Sequence, residues 1–233
     1  MRNFIKTHGT HRKLEGWPLV FTILTTLAIL VGSVVEILPL FLVSSAVRPI
    51  GNVAPFTPLE VAGRDIYIRE GCNNCHSQMV RPFRDEIQRY GPYTRAGETV
   101  YEHPFLWGSK RTGPDLGRVG GKYPHLWHVR HMEDPRSTSP RSLMPPYPWL
   151  LEKSLRTDNL PAKLAALRKV GVPYADDQID SADEAARTQA REIASEIVSQ
   201  GGPVGLADRE IVALVAFLQR LGTDYRPAET VAP

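Results

Sequence analysis

The chain has 233 residues, of which 42% are hydrophobic, 28 are Lys or Arg and 25 are Asp or Glu. A net charge of +3 is too small to indicate a nucleic-acid-binding protein, and we expect no nucleic-acid partner. Two cysteines, Cys72 and Cys75, exclude a disulfide-rich scaffold and any zinc or iron–sulfur site with four cysteine ligands. The hydrophobic content excludes a disordered chain, although 20 prolines and 18 glycines predict long loops.

A long apolar segment begins near the N-terminus. Residues 17–35 carry no charge, and about 20 such residues are enough to cross a bilayer as a helix. We therefore assign residues 1–16 to a cytoplasmic N-terminus and residues 17–43 to a transmembrane anchor helix. The basic residues before the span outnumber those that follow it closely: Arg2, Lys6, Arg12 and Lys13 against Arg48. This asymmetry predicts that the rest of the chain is exported.

A cleaved signal peptide is the alternative to an anchor. Ser44, Ser45 and Ala46 resemble a small-residue cleavage site, but the apolar segment is longer than the roughly 7–15 residues that are usual in a signal peptide. We therefore predict an uncleaved anchor. Glu36 is then expected near the outer membrane interface, where a solvated helix end explains it better than a proton relay does.

The exported part is predicted to form one domain, residues 57–233, after a linker at residues 44–56. Its first helix has a clear start signal. Thr57 is the expected N-cap, Pro58 occupies the first helical position, and Glu60 completes a capping box.

Two helices from opposite ends of the domain are expected to pack together. In the first, Gly63 and Tyr67 share one face, and a small residue beside an aromatic one favours a close helix crossing. The second is predicted at 209–221, with Asp208 as its N-cap and Gly222 as its stop signal. Its apolar residues recur at helical spacing, so the first helix is the natural partner.

The chain between these helices is less regular, and no strand pattern is evident, so the fold class is predicted to be mainly α. Residues 77–122 contain many Gly and Pro and are predicted to form long ordered loops. A short helix is expected at 124–131. Residues 151–205 are predicted to be a helical insertion with helices near 160–170 and 181–199. Neither helix has a strong apolar face in sequence, so we expect both at the periphery.

Residues 72–76 have the sequence Cys-Asn-Asn-Cys-His, which is the attachment signature of c-type haem. Cys72 and Cys75 would form thioethers with the two vinyl groups of the porphyrin, and His76 would be the proximal iron ligand. A thioredoxin-like dithiol would follow a strand in a βαβ unit, and a zinc site needs about four ligands; neither pattern accompanies this motif. The sequence therefore predicts one covalently bound haem c.

The sixth ligand of the iron must come from elsewhere in the chain. The candidates are the methionines and the remaining histidines. Met79 is too close in sequence to the proximal ligand to reach the opposite face. Met144 lies in a Pro-rich segment, 142–148, whose stiffness suits a redox centre, and we predict it as the ligand. The alternative is one of three histidines spaced three apart, for which a polar face or a partner contact is the expected role: His125, His128 and His131.

Several further motifs accompany the cysteine pair. They lie at 70–82, 107–116, 119–123, 144–150 and 171–174. Together with the N-terminal anchor, these motifs resemble the mono-haem cytochrome c subunit (subunit II) of cbb3-type cytochrome c oxidases. The resemblance extends from the anchor to about Gly222 and is weaker over 181–205.

The resemblance implies an exported class I cytochrome c-like domain that transfers electrons. Such a subunit receives electrons from a di-haem cytochrome c subunit and passes them to the b-type haem of the catalytic haem–copper subunit. With both axial positions of its iron filled, it performs no oxygen chemistry itself. The resemblance further implies that the Pro114 carbonyl accepts a hydrogen bond from His76, that the loops at 77–122 dock on the catalytic subunit, and that Ser109 approaches a divalent cation there.

The resemblance also implies a location and further partners. We expect a single-pass protein of the bacterial inner membrane, in contact with lipid, with its haem domain in the periplasm and a small single-helix subunit as an additional partner. The alternative function is a free-standing, membrane-anchored cytochrome that shuttles electrons without belonging to an enzyme. A haem sensor would instead need a vacant axial position, and a thiol redox protein would have reactive thiols and no haem.

Overall fold

The computed structural model describes Arg12 and residues 14–42, 49–50, 52–108 and 110–224, without the side chains of Leu40 and Phe41. The chain divides into two compact units, Met1–Arg48 and Pro49–Pro233. Helices are the regular elements of the described residues, as predicted, and a single isolated β-bridge joins Ser154 to Arg209 there. Several predicted features lie outside the described residues, namely Arg2, Lys6, Lys13, Arg48, the segment 44–46 and Ser109.

The first unit contains one long helix, α1 (Pro18–Leu42). Its segment Pro18–Pro39 is long and apolar enough to cross a membrane, and none of the side chains in its most apolar part is buried within the chain. A helix with apolar residues on all sides is stable only in an apolar environment. The helix therefore fits the predicted transmembrane anchor, and it continues past Glu36.

The second unit begins with α2 (Pro58–Arg69), whose capping box is the one predicted. The Thr57 hydroxyl accepts a hydrogen bond from the Glu60 N–H at 3.3 Å, and the Glu60 carboxylate accepts one from the Thr57 N–H at 2.8 Å. Gly71 follows with φ of +74°, a conformation that glycine adopts without strain. This turn leads directly into the single-turn helix α3 (Cys72–Cys75), which carries both cysteines.

Seven more helices follow in the described part of the chain. They are α4 (Arg84–Tyr90), α5 (His125–Glu133), α6 (Pro135–Thr138), α7 (Leu160–Lys169), α8 (Asp176–Asp180), α9 (Ala182–Ser199) and α10 (Glu210–Arg220). Two 3₁₀ turns, Ala96–Glu98 and Pro148–Leu151, complete the set. The region predicted as long loops thus contains one short helix and one 3₁₀ turn.

Helices α2 and α10 cross at close range, as predicted. A Cβ atom built on Gly63 would lie only 1.9 Å from the carbonyl oxygen of Ala213, so glycine is the residue that permits this approach. Beside it the rings of Tyr67 and Phe217 meet edge to face, with centroids 5.3 Å apart. The crossing joins the two ends of the domain and forms the centre of the hydrophobic core.

The prediction that Asp208 caps α10 was wrong. Arg209 is the N-cap residue, and no side-chain hydrogen bond caps the helix. The backbone N–H of Glu210 donates instead to the carbonyl of Lys153, at 3.0 Å. A neighbouring segment thus satisfies the free N–H group that a capping side chain would otherwise bind.

The prediction that the helices of the 151–205 region lie at the periphery was also wrong, although their positions were close to those observed. Leu160 and Leu164 of α7 are fully buried. Helix α9 packs against α2, and its small and aliphatic side chains belong to the main core: Ala182, Ala186, Ala190, Ile193 and Ile197. Alanine at a spacing of four contributes little apparent hydrophobicity, yet it lets two helix backbones approach closely.

Candidate functional site

The two cysteines lie on one helical turn at the end of α2. The thiol of Cys72 is half-buried against the core, whereas Cys75 is exposed. Burial, with a contribution from Glu70, raises the pKa of Cys72 to about 12. The Cys72 thiol is therefore not activated as a nucleophile, in contrast to the low-pKa cysteine of a thiol oxidoreductase.

His76 follows this turn, and its ring orientation is fixed by a backbone carbonyl. Its Nδ1 lies 2.8 Å from the oxygen of Pro114, so the Nδ1–H donates to that carbonyl. Burial lowers the pKa of His76, which favours the neutral imidazole. A neutral ring that donates through Nδ1 offers the lone pair of Nε2 to a metal, which is the arrangement of most metal-binding histidines.

The residue before Pro114 leaves room for the imidazole. A Cβ atom on Gly113 would lie 2.2 Å from Cε1 of His76, so a larger residue would displace the imidazole from this position. Two thiols on one turn, followed by an imidazole with Nε2 available, form the donor set that a c-type haem requires. Among the described residues, no group of three His, Cys, Asp or Glu side chains could hold a metal ion by itself.

The loop that carries Met144 lies against the same region. Met144 is half-buried and packs on the core, and its N–H lies 3.2 Å from the Ser142 hydroxyl. Trp149 donates from its ring N–H to Glu70 at 3.2 Å, which joins this loop to the residue two before Cys72. The structure thus brings the Met144 loop to the cysteine motif, while the role of Met144 as an iron ligand stays a prediction.

The other two methionine candidates make different contacts. Met132 is buried in the core as part of α5. Met79 is engaged through its backbone, whose N–H donates to Asp115 at 2.9 Å and whose carbonyl accepts from Arg111 at 2.7 Å. The choice of Met144 over these two residues stays a prediction.

The three histidines of α5 do not form one exposed polar face, which was one of the two roles predicted for them; the other role, a partner contact, stays a prediction. His128 is 2% exposed, and burial together with the neighbouring histidines lowers its pKa to about 4. His125 contacts Glu196 at 2.9 Å, and His131 contacts the hydroxyl of Thr138 at 2.6 Å. The polar-face prediction was wrong because α5 packs against α9 and α10, and His128 on this helix is buried.

Two charged residues close to Pro114 were not predicted as part of the site. Arg111 and Asp115 are both largely buried and form an ion pair at 3.2 Å. Opposite charges four residues apart on either side of a Gly-Pro turn were the available signal. Their contacts fix the segment that contains Pro114, as described below.

Comparison with known proteins identifies the family of this chain. A family model described as cytochrome c oxidase, mono-heme subunit/FixO, matches residues 11–225. The matched range includes the cysteine motif, Pro114 and Met144. A search of curated proteins found no match.

Proposed function

Because this chain belongs to the FixO family, the mono-haem subunits of cytochrome c oxidase, we propose that it transfers electrons within such an oxidase through one covalently bound haem c. It is then a subunit of an oxidoreductase complex and contributes no oxygen chemistry of its own.

The observation that most supports this proposal is the pairing of His76 with the Pro114 carbonyl, directly after a helical turn with two thiols. Cys72 and Cys75 would hold the porphyrin through thioethers, and Nε2 of His76 and the sulfur of Met144 would be the axial ligands. When bound, the haem supplies a one-electron carrier. With both axial positions taken by side chains, oxygen has no site on this iron.

The proposed route runs from a di-haem cytochrome c subunit to the b-type haem of the catalytic haem–copper subunit. Exposed apolar side chains in the Met144 segment and in the long loop support such contacts. Leu143, next to Met144, is 85% exposed, and Phe105 and Phe83 in the long loop are more than half exposed. Contiguous exposed apolar side chains are typical of protein interfaces.

We further propose that α1 anchors the subunit in the bacterial inner membrane, beside a small single-helix subunit, with its N-terminus in the cytoplasm and its haem domain in the periplasm. Basic residues concentrated before the span support this orientation. Reporter fusions test it: a periplasm-specific reporter joined after Asp224 should be active, and one joined before α1 should be inactive.

Replacement of the proposed axial sulfur tests the site. Met144→His should retain the covalent haem but lower its reduction potential by on the order of 0.1 V or more, because imidazole stabilises the oxidised iron better than a thioether does. The sulfur-to-iron charge-transfer band in the near infrared should disappear. Met79→His is the matched control and should leave the potential and the band unchanged. An unchanged band in Met144→His would show that another residue is the ligand.

Copurification tests the assignment to an oxidase. The full-length chain, extracted in mild detergent, should purify with a haem–copper subunit and a di-haem cytochrome c. A stable haem-loaded monomer would instead favour a free-standing electron shuttle. Cys75→Ala should impair covalent attachment, which is measured by haem staining of the denatured chain.

A further inference from the structure

Two short segments run side by side around the contact between His76 and Pro114. On one side of that contact the Gly113 N–H donates to the carbonyl of Cys75 at 3.0 Å, and on the other the Leu116 N–H donates to the carbonyl of Ser77 at 2.8 Å. The position of the Pro114 oxygen relative to the imidazole therefore depends on how firmly the segments 75–79 and 113–117 are joined.

The carboxylate of Asp115 joins them. Its side chain is completely buried. It accepts hydrogen bonds from the Ser77 hydroxyl at 2.5 Å and from the Met79 N–H at 2.9 Å, both in the first segment. It also accepts one from the Gly117 N–H at 2.8 Å in its own segment. One buried anion thus connects the residues that follow His76 with those that follow Pro114.

Arg111 holds this carboxylate from the outer side. Its guanidinium donates to Asp115 at 3.2 Å, to the Ser77 hydroxyl at 2.7 Å and to the Met79 carbonyl at 2.7 Å. It also forms an ion pair with Glu86 of α4. Buried charges need such pairing and full hydrogen bonding, and here they gain both. The result is a polar network that resists displacement of either segment.

We propose that Asp115, held by Arg111, is the positioning residue for the axial histidine, and that this network sets the reduction potential of the bound haem by keeping the Pro114 carbonyl on Nδ1 of His76. The inference rests on the proposed function. A hydrogen bond accepted from the distant ring nitrogen makes an imidazole a more basic ligand. A more basic ligand stabilises the oxidised iron, so a loosened contact should favour the reduced state.

Three substitutions in the full-length, haem-loaded protein separate positioning from charge. They are Asp115→Asn, Arg111→Gln and Ser77→Ala. If the network positions Pro114, all three raise the potential, and the ratio of reduced to oxidised haem at a fixed applied potential rises by up to about tenfold, which is about 59 mV for one electron. If only local charge matters, loss of the anion raises the potential, loss of the cation lowers it, and Ser77→Ala leaves it unchanged.

Hydrogen exchange provides a second readout that an unspecific loss of stability would not reproduce. The Nδ1 proton of His76, followed by NMR in the reduced state, should exchange faster in all three variants. The sulfur-to-iron charge-transfer band should persist, because the opposite ligand is untouched. Glu98→Gln is the matched control: this carboxylate is also buried, belongs to the same loop and pairs with Arg118 at 2.5 Å. It should change neither the exchange rate nor the potential.

Opposite shifts in Asp115→Asn and Arg111→Gln would overturn the proposal, as would an unchanged potential and exchange rate in Ser77→Ala. If Asp115→Asn fails to mature, the neutral Ser77→Ala decides the question, because it removes two hydrogen bonds of the network, one to Asp115 and one from Arg111, without changing the charge. The proposed function fails separately: in that case the unsubstituted protein carries no covalent haem.

Discussion

The crossing of α2 with α10 and the loop at 77–122 are built by different physical means. At the crossing, Gly63 and Phe217 fit together by shape within the hydrophobic core, and ion pairs of Arg69 with Glu210 and of Arg220 with Glu60 lie between the same two helices. In the loop, buried ion pairs and hydrogen bonds from side chains to the backbone replace apolar contacts, and Arg118 with Glu98 is one example. Shape complementarity determines whether the domain folds, whereas the polar contacts determine where His76 and Pro114 lie.

Substitution of the crossing glycine is expected to have the largest effect. Gly63→Ala places a methyl group between two backbones, 1.9 Å from the carbonyl oxygen of Ala213, and rigid backbone on both sides cannot yield. The free energy of unfolding should fall by at least about 3 kcal/mol, the upper end of the range for overpacked cores. Urea unfolding of the full-length protein in detergent, followed by far-UV circular dichroism, measures the loss.

Gly121→Ala is the matched control for Gly63→Ala. Gly121 has φ of +70° but nothing within 4 Å of an added Cβ, so only backbone strain results. That strain costs about 1 kcal/mol. Equal losses in the two variants would contradict the idea that close approach of the helices is the dominant requirement.

The loop at 77–122 should make the free energy of unfolding depend on pH, because it contains a buried carboxylic acid. Glu102 lines a cavity of about 50 Å³, and its Oε2 is buried without a hydrogen-bond partner among the described residues. Burial raises its pKa from 4.5 to about 7, against the opposing effect of Arg64 and Arg220. The folded state then binds a proton more tightly than the unfolded state does. The contribution of Glu102 to stability is therefore present below pH 4.5 and is lost as the pH rises through 7.

The expected loss is about 3 kcal/mol between these limits, measured as the difference between the parent protein and Glu102→Gln. The comparison of the two proteins is needed because His128, whose pKa is lowered to about 4, has the opposite effect. Its contribution to stability grows as the pH rises from 4 to 6.5. The two profiles partly cancel in the parent protein. A pH-independent difference between the parent and Glu102→Gln would contradict this account of the loop.

Glycine in the loop should behave differently from glycine at the crossing. Gly113→Ala places a methyl group 2.2 Å from Cε1 of His76, but its neighbour is a side chain that can rotate. We expect a loss of only about 1–2 kcal/mol in unfolding free energy, because the domain core is unaffected. The bound haem should nevertheless show an altered low-spin electron paramagnetic resonance spectrum, since its axial imidazole is displaced. A larger loss of unfolding free energy in Gly113→Ala than in Gly63→Ala would contradict the idea that the helix crossing, and not the loop, determines stability.

The sequence predicted the parts of the molecule that depend on near neighbours. The capping box at Thr57, the pair of Gly63 with Tyr67 and the cysteine motif are all local patterns, and each appeared where expected. Even the contact of His76 with Pro114 was accessible, through a resemblance to a known family. The identity of the axial ligands remains a prediction that the spectroscopic experiments address.

The features that were predicted wrongly or not at all depend on contacts between residues far apart in sequence. Asp208 was a plausible cap, but the N–H of Glu210 donates its hydrogen bond to the carbonyl of Lys153, which is far away in sequence. Helix α5 packs against two distant helices, α9 and α10, and His128 on it is buried. The hydrogen bonds of Asp115 connect residues up to 38 positions apart. Local periodicity contains no information on which distant segment supplies such a partner.

The smallest expected effect on stability comes from two predicted N-cap residues. Thr57 caps α2 as predicted, whereas Asp208 does not cap α10. Thr57→Ala removes the hydroxyl that accepts from the Glu60 N–H and should cost about 1 kcal/mol of unfolding free energy. Asp208→Ala removes a side chain whose contact is an exposed ion pair with Arg209 at 3.4 Å, and such pairs contribute little. Its effect should stay within about 0.5 kcal/mol. Urea midpoints of the two variants, measured together, provide the check: equal losses would mean that Asp208 does cap α10 in solution, and the long-range carbonyl contact would then not suffice to begin that helix.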